Sequence, residues 1–388
     1  MSRLIAKKKI MVVFGTRPEA TKMCPVVQEL RRYSDRFETR VVVTGQHREQ
    51  LHQALTHFGI QPDVDLEIMK PNQSLAYVTA AAITGLDRVV AEEKPDMILI
   101  HGDTQTTMCG GMVASFHRIP VGHVEAGLRS HNKYSPWPEE INRRIVDVVS
   151  DLLFAPTSVG HQNLIREGYS EKHIYVTGQT AVDAAIHTHM PSYNFQEARL
   201  NDLVQFDGRI ITVTAHRREN YGAPMEQMFR AIRRVADEHP DVAVIYPVHL
   251  SPYVRELAGT MLGGHERIHL IDPIEYPDMI NLLSRSYLVL SDSGGLQEET
   301  PVFRKPLVLM RDTTERPEAV TANAVYLAGT EEAAIYDITT RLLTDSELYD
   351  AMANAGNPFG DGQASARIVQ IIAHYFGYTD ELPKPFGG

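Results

Sequence analysis

Short apolar runs alternate with longer amphipathic segments from one end of this chain to the other, and that rhythm leaves few folds open. Ile10–Phe14, Arg40–Val43, Met97–Ile100, Pro120–His123, Leu152–Ala155 and Ile174–Val176 are short, rich in β-branched residues or Leu, and bounded by Gly, Thr or Pro, as buried strands are. Helical patterns separate them, among them Ala20–Arg32, Ile141–Val149 and Val159–Arg166. Strand–helix alternation predicts a parallel sheet covered on both faces. The rhythm breaks over Met190–Gly208, which carries Pro191, Asn194, Asn201 and Gly208, so the domain junction belongs near or just before that stretch, with 1–185 as the first domain. It restarts with strands at Ile210–Val213, Val242–Tyr246, Ile268–Ile271, Leu288–Leu290 and Leu307–Leu309, and helices at Met225–Glu238 and Pro252–Leu262. The 388 residues also exceed the roughly 250–300 over which one core keeps growing. The expected fold class is α/β: two Rossmann-like doubly wound domains facing a central cleft.

Charge and cysteine content narrow the function. A net charge of −11 argues against a dedicated nucleic-acid binder, and any bound anion needs a local basic site. Cys24 and Cys109 make neither a disulfide framework nor a C-x-x-C pair, which suits a reducing cytoplasm. The start M-S-R-L-I-A-K-K-K lacks the apolar core of a signal peptide, and no apolar run approaches the ~18 residues of a membrane span. Lys7–Lys9 reads as a solvated tail. There is no H-E-x-x-H, no G-x-S-x-G, and no G-x-G-x-x-G near either first strand, so neither a metal nor a dinucleotide cofactor is expected. R-P-E-A occurs at Arg17–Ala20 and Arg316–Ala319, a match too short to count as a repeat.

In open parallel sheets ligands bind beyond the carboxyl ends of the strands, and here almost every such end is polar. Gly15-Thr16-Arg17-Pro18-Glu19 joins the first strand to a helix, where backbone N–H groups and the helix N-terminus favour an anion, and Arg17 and Lys22 add two cations. Asp103 and Glu125 each follow a strand, and Glu139 follows the Pro-constrained S-P-W-P turn. Carboxylates held apart on a substrate move protons on two faces, while helix capping is the plainer reading of Asp103 and Glu139. In the second half, His216 with Arg217 and Arg218 suits a pyrophosphate leaving group. Ser293, Gly294 and Gly295 precede a helix as a phosphate cradle, Glu299 one turn on is placed for a ribose diol, and Arg316 is a second anion candidate. Each alone reads equally as a turn or a solvated charge; together they favour one shared active cleft.

The strings G-T-R-P-E-A, H-G-D-T, G-H-V-E-A-G-L-R, Y-S-P-W-P-E-E-x-N-R, T-A-H-R-R-E-N, Y-P-V-H, D-S-G-G-x-Q-E-E, R-D-T-T-E-R-P-E-A and N-P-F-G-D-G run in order from Ile10 to about the last helix. They resemble the non-hydrolysing UDP-N-acetylglucosamine 2-epimerases. The resemblance implies a glycosyltransferase-B type fold, a homodimer, and a last helix at about 364–388 that returns to the first domain, leaving 186–363 as the second. It implies UDP-N-acetylglucosamine and UDP-N-acetylmannosamine as substrate and product, without a cofactor. By motif, Asp103, Glu125 and Glu139 match the acid/base carboxylates and His216 the histidine near the pyrophosphate. Arg17, Lys22, Ser293, Gly294, Gly295, Glu299 and Arg316 match nucleotide contacts. Bacterial members can be activated by their own substrate at a neighbouring site, whose residues Gln46, Gln73, Glu139, Arg217 and His249 match. Glu49 and Asn72 depart from that pattern by adding an anion and losing a cation, which weakens such a site. Thr300–Lys305 and Ile274 also depart, which bears on fine substrate contacts.

The hydrogen on carbon 2 of the sugar has no carbonyl beside it, so its direct removal is prohibitively slow. Departure of UDP makes carbon 1 electron-poor and carbon 2 acidic. Elimination gives UDP and 2-acetamidoglucal, and re-addition with a proton from the other face gives the epimer. Arg17, His216 and Arg316 would stabilise charge on UDP, and the carboxylates would move protons, with their faces undecided by sequence. A hydrolysing 2-epimerase, a glycosyltransferase of the same fold and a non-catalytic sugar-nucleotide sensor are the alternatives.

Overall fold

The computed structural model describes residues 6–45, 48–70 and 73–387. The chain divides into two compact units, Met1–Ala184 with Phe359–Gly388, and Ala185–Pro358. In the first, the elements are β1 (Lys8–Phe14), α1 (Arg17–Arg32), β2 (Phe37–Val43), α2 (Arg48–His57), β3 (Val64–Asp65), α3 (Leu75–Glu93), β4 (Met97–His101) and α4 (Gln105–Phe116). They continue as β5 (Val121–Val124), α5 (Glu139–Val149), β6 (Leu152–Ala155), α6 (Ser158–Arg166), β7 (Ile174–Val176) and α7 (Thr180–Thr188). The second unit holds α8 (Ala198–Leu203), β8 (Arg209–Thr214), α9 (Ala223–Glu238), β9 (Val242–Pro247), α10 (Pro252–Leu262), β10 (Ile268–Ile271) and α11 (Tyr276–Arg285). After these come β11 (Leu288–Ser291), α12 (Leu296–Glu299), β12 (Leu307–Leu309), α13 (Pro317–Thr321), β13 (Val325–Leu327), α14 (Glu332–Thr344) and α15 (Ser346–Ala353), and α16 (Ala364–Tyr375) returns to the first unit.

Each unit is built on one parallel sheet. The strand orders are β3-β2-β1-β4-β5-β6-β7 and β10-β9-β8-β11-β12-β13. Ile10 to Phe14 are at most 1% exposed, so the central strand is buried on both faces, as its unbroken apolar run requires. Helix α1 turns Ala20, Met23, Val27 and Leu30 inward, and α9 does the same with Met225, Met228, Phe229, Ile232 and Val235. Each large apolar side chain so buried stabilises the fold by about 1.5–3 kcal/mol. In both sheets the first strand lies between its successor and a later strand, β1 between β2 and β4, β8 between β9 and β11. Order reverses there, and the loops leaving the two central strands diverge to opposite faces, which opens a crevice at their carboxyl ends.

The structure differs from the sequence reading in several elements. Lys8 and Lys9 belong to β1 rather than to a solvated tail: Lys8 Nζ meets Asp96 at 2.8 Å and Lys9 Nζ meets Glu93 at 3.0 Å. The two-residue β3 carries no apolar run, and α2, α3 and β13 had also gone unassigned. Helix α16 stops at Tyr375 rather than running to the C-terminus. Gly377 turns the chain at φ +75°, Pro383 and Pro385 lie beyond, and the Phe386 N–H bonds to the Val176 carbonyl of the edge strand at 2.9 Å. Among the described residues no helix is long and apolar enough to cross a membrane.

Candidate active site

At the switch point of the first unit the loops after β1 and β4 are joined by Glu19, which is 2% exposed. One carboxylate oxygen accepts the N–H groups of Gly15 and Thr16 at 3.0 and 2.8 Å, and the other accepts the hydroxyls of Thr104 and Thr107 at 2.7 and 2.8 Å. The T-x-x-E spacing of Thr16 and Glu19 produces this capping arrangement. The Gly15 and Thr16 N–H groups are therefore spent within the chain and not turned to an anion, and Gly15 is demanded by packing: a Cβ there would meet the Thr44 and Thr106 hydroxyls at 2.2 and 2.3 Å. Arg17, at the first position of α1, is half-buried and makes no ion pair among the described residues.

Glu125 follows β5 with φ +72°, a left-handed conformation that a non-glycine residue adopts at a cost of about 1–3 kcal/mol. Its Oε2 accepts from Lys22 Nζ at 2.5 Å and from Gln179 Nε2 at 2.5 Å, and His101 Nε2 lies 3.5 Å away. Burial alone would raise the Glu125 carboxyl, but Lys22 and His101 outweigh it and hold the group well below the usual carboxylate range. Its Oε1 accepts no hydrogen bond among the described residues.

Asp103 sits in the turn between β4 and α4, with Thr104 rather than Asp103 as the helix cap. Its carboxylate pairs with Arg143, and its carbonyl accepts from Asn142 Nδ2 at 2.9 Å. Both grips come from α5, whose first residue is Glu139. Glu139, Asn142 and Arg143, at i, i+3 and i+4, share one helical face. Glu139 Oε2 is buried without a hydrogen-bond partner among the described residues, the opposite of clamped Glu125. A wholly buried network supports the turn from below. His123 Nε2 donates to the Gly102 carbonyl at 2.8 Å, its Nδ1 meets Asp147 at 2.6 Å, and Asp147 also accepts from Arg129 at 2.7 Å.

The switch point of the second unit is organised by another buried carboxylate. Asp292 accepts the N–H groups of His216 and Arg217 at 3.0 and 2.9 Å and the Asn220 amide at 3.1 Å, tying the loop after β8 to the loop after β11. His216 stacks on His249 with ring centroids 5.3 Å apart. Burial, opposed by Asp292 and reinforced by His249 and Arg217, holds His216 below the ordinary imidazole value, so it is neutral near pH 7. Two guanidinium groups close on Gly294, where a Cβ would lie 3.0 Å from Arg316 and 3.2 Å from Arg217. Arg316 Nε is itself held by buried Glu298 at 2.6 Å. The Ser293 N–H goes to Ser291 Oγ at 2.9 Å. Glu299 ends α12 and hydrogen-bonds Tyr276, whose hydroxyl is pushed up by burial first and by Glu299 second.

A family model described as UDP-N-acetylglucosamine 2-epimerase matches residues 28–373. The UDP-N-acetylglucosamine 2-epimerase of Bacillus subtilis strain 168 is 50% identical over 382 residues, covering 98% of this chain and 99% of the relative. A crystal structure of a putative UDP-N-acetylglucosamine 2-epimerase from Listeria monocytogenes superposes with a TM-score of 0.92 at 46% identity, covering 98% of this chain and 100% of that one. The Neisseria meningitidis UDP-GlcNAc 2-epimerase, solved bound to UDP-GlcNAc, gives 0.85 at 43%, covering 94% and 99%. This chain belongs to the UDP-N-acetylglucosamine 2-epimerase family.

In this epimerase the expected residues gather at two places. Arg17, Lys22, Asp103, Glu125 and Glu139 lie at the carboxyl ends of the first sheet or on the helices that follow, and His216, Ser293, Gly294, Gly295, Glu299 and Arg316 occupy the loops after β8, β11 and β12 and the start of α12 and α13. Lys22 is engaged by Glu125, a pairing that spacing does not suggest. Arg217 and His249, matched by resemblance to an activating site, sit against Gly294 and His216. Gln73 makes only a local contact, accepting the Lys70 N–H at 3.1 Å, while Gln46 and Asn72 lie outside the described residues, as does the side chain of Glu49. The sequence reading missed Glu19, His101, Arg143, Gln179 and Asp292. Only Glu19, through its capping-box spacing, and Arg143, four residues after Glu139, had a local signal.

Proposed function

We propose that this chain interconverts UDP-N-acetylglucosamine and UDP-N-acetylmannosamine by eliminating UDP and adding it back. The observation that carries this is the Glu125 carboxylate, kept ionised by Lys22 through one oxygen while the other is unbound, in a fold whose second sheet offers Arg217 and Arg316 at a glycine loop. In the forward step the carbon 2 proton passes to a carboxylate, the carbon 1–oxygen bond breaks, and its electron pair leaves on UDP. The intermediate is 2-acetamidoglucal. In the return step UDP oxygen adds to carbon 1 while a carboxylic acid protonates carbon 2 on the other face. Asp103 and Glu139 supply the second face, held in fixed relation through α5. Arg17, Arg316, Arg217 and neutral His216 receive charge developing on the pyrophosphate by hydrogen bonding and proximity. Glu299 takes the ribose diol, and Ser293 to Gly295 lie along the phosphates. The enzyme works as a homodimer, a reading that rests on the resemblance and is checked by light scattering.

Proton NMR in D2O with UDP-N-acetylglucosamine and no added cofactor tests the reading. UDP-N-acetylmannosamine carrying deuterium at carbon 2, in a mixture still holding substrate, is the expected result. Free UDP with N-acetylmannosamine would assign the hydrolysing reaction instead. Unchanged substrate, at concentrations high enough to fill any activating site, would overturn the epimerase reading.

A further inference from the structure

Gln179 holds the least expected position around Glu125. It lies between β7 and α7, is 1% exposed, and faces two ways. Its side-chain Nε2 donates to Glu125 Oε2 at 2.5 Å, and its backbone N–H donates to the Phe359 carbonyl at 2.7 Å. Phe359 is the first residue of the first unit after the chain returns from the second, and Ala184, the last before it leaves, is five positions beyond Gln179. The neighbourhood is close-packed: a Cβ on Gly360 would touch Val182 at 3.0 Å, and one on Gly178 would meet the Phe359 carbonyl at 3.5 Å. The segment that carries the chain between units is thus bonded to the same residue that grips Glu125.

We propose that Gln179 is a positioning residue for Glu125, fixing its carboxylate through the segment where the chain re-enters the first unit. The geometry requires it because Lys22 alone is one donor on a flexible four-carbon stem. A second donor from a rigid, buried amide sets which oxygen is clamped, and leaves Oε1 unbound. The amide also favours the charged form, since a hydrogen bond to a carboxylate lowers its proton affinity. Shifting a reacting group by about 1 Å can slow a reaction about 100-fold without weakening binding, and that is the signature expected here.

The inference rests on the proposed epimerase reaction for its kinetic test, and a second readout stands apart from it. In Gln179→Ala, carbon 2 exchange in D2O is expected to fall about 100-fold while UDP affinity, by calorimetry, stays within about twofold. In Gln179→Glu, which is nearly isosteric, the rate should fall further and recover partly as pH drops, because two adjacent carboxylates then share a proton. Carbon-13 NMR of the Glu125 carboxyl in Gln179→Ala should show it titrating at higher pH than in wild type. Wild-type exchange in Gln179→Ala, or an unmoved Glu125 titration, would overturn the proposal. Failure of the wild-type protein to exchange carbon 2 at all would instead sink the reaction assigned above, leaving the Glu125 titration to decide the role of Gln179.

Discussion

The two switch points share one device and differ in what surrounds it. In each unit a buried carboxylate, Glu19 or Asp292, collects loop N–H groups and locks two neighbouring loops together. Around Glu19 the first unit then sets carboxylates, two of them already neutralised by Lys22 and Arg143. Around Asp292 the second sets His216, Arg217 and Arg316 beside a glycine with no room for a side chain. The same scaffold rule therefore yields a proton-handling surface in one sheet and an anion-binding one in the other. What differs is the choice of a few loop side chains, since the backbone locks are equivalent. That separation suits a reaction in which carbon–hydrogen chemistry and leaving-group stabilisation happen on one substrate.

The sharpest way to break this comparison is to damage one side and watch for effects on the other. Glu125→Gln should lower carbon 2 exchange by up to about 10⁴-fold yet leave UDP binding unchanged, by single-turnover NMR and calorimetry. Loss of UDP affinity in that variant would show that the division of labour is false. Next in size, Asp147→Asn leaves buried Arg129 and His123 partly unpaired and should destabilise the fold by about 3–5 kcal/mol in urea denaturation. Burial would raise the Asp147 carboxyl, but His123 and Arg129 lower it overall, so its stabilising contribution is present above the unfolded value near 3.8 and is lost as pH falls through the lower folded value. The asparagine variant should lack that part of the acid dependence.

Arg316→Ala removes one charge-assisted contact and should weaken UDP binding about 30-fold, while the rate of glucal protonation stays near wild type. A paired glycine test is finer. Gly294→Ala pushes its methyl into two guanidinium groups and should cut UDP affinity roughly tenfold, whereas Gly295→Ala, with nothing within 4 Å, should be nearly silent by the same calorimetry. The smallest expected effect is on pH. Arg217 is one of the groups that hold His216 below the ordinary imidazole value, so Arg217→Ala should let His216 protonate at slightly higher pH. Histidine NMR would register that rise, and an unmoved resonance would mean burial alone sets the value.

Resemblance and strand-end logic placed the candidate residues at the right ends of both sheets, and the structure explains why the remainder stayed hidden. Lys7–Lys9 looked like a tail because the acids that pair with them, Glu93 and Asp96, come from the far end of α3 and the turn before β4. Gly15-Thr16 looked like an anion loop because its own acceptor, Glu19, was read as part of the motif rather than as its occupant. The R-P-E-A echo marks two helix starts, at α1 and α13, where proline and an acid serve the first turn.

By itself the sequence determined two parallel sheets, their approximate strands and the polar character of the strand ends. Short β-branched runs between amphipathic helices bury their apolar surface well in no other arrangement. Only the tertiary structure decided the partnerships: Lys22 with Glu125 across 103 residues, Gln179 with Glu125 across 54, Arg143 with Asp103, and Arg217 and Arg316 on either side of Gly294. Those contacts follow from strand order. Neighbours in a sheet bring together loops far apart in the chain, and no local pattern records which loops will meet.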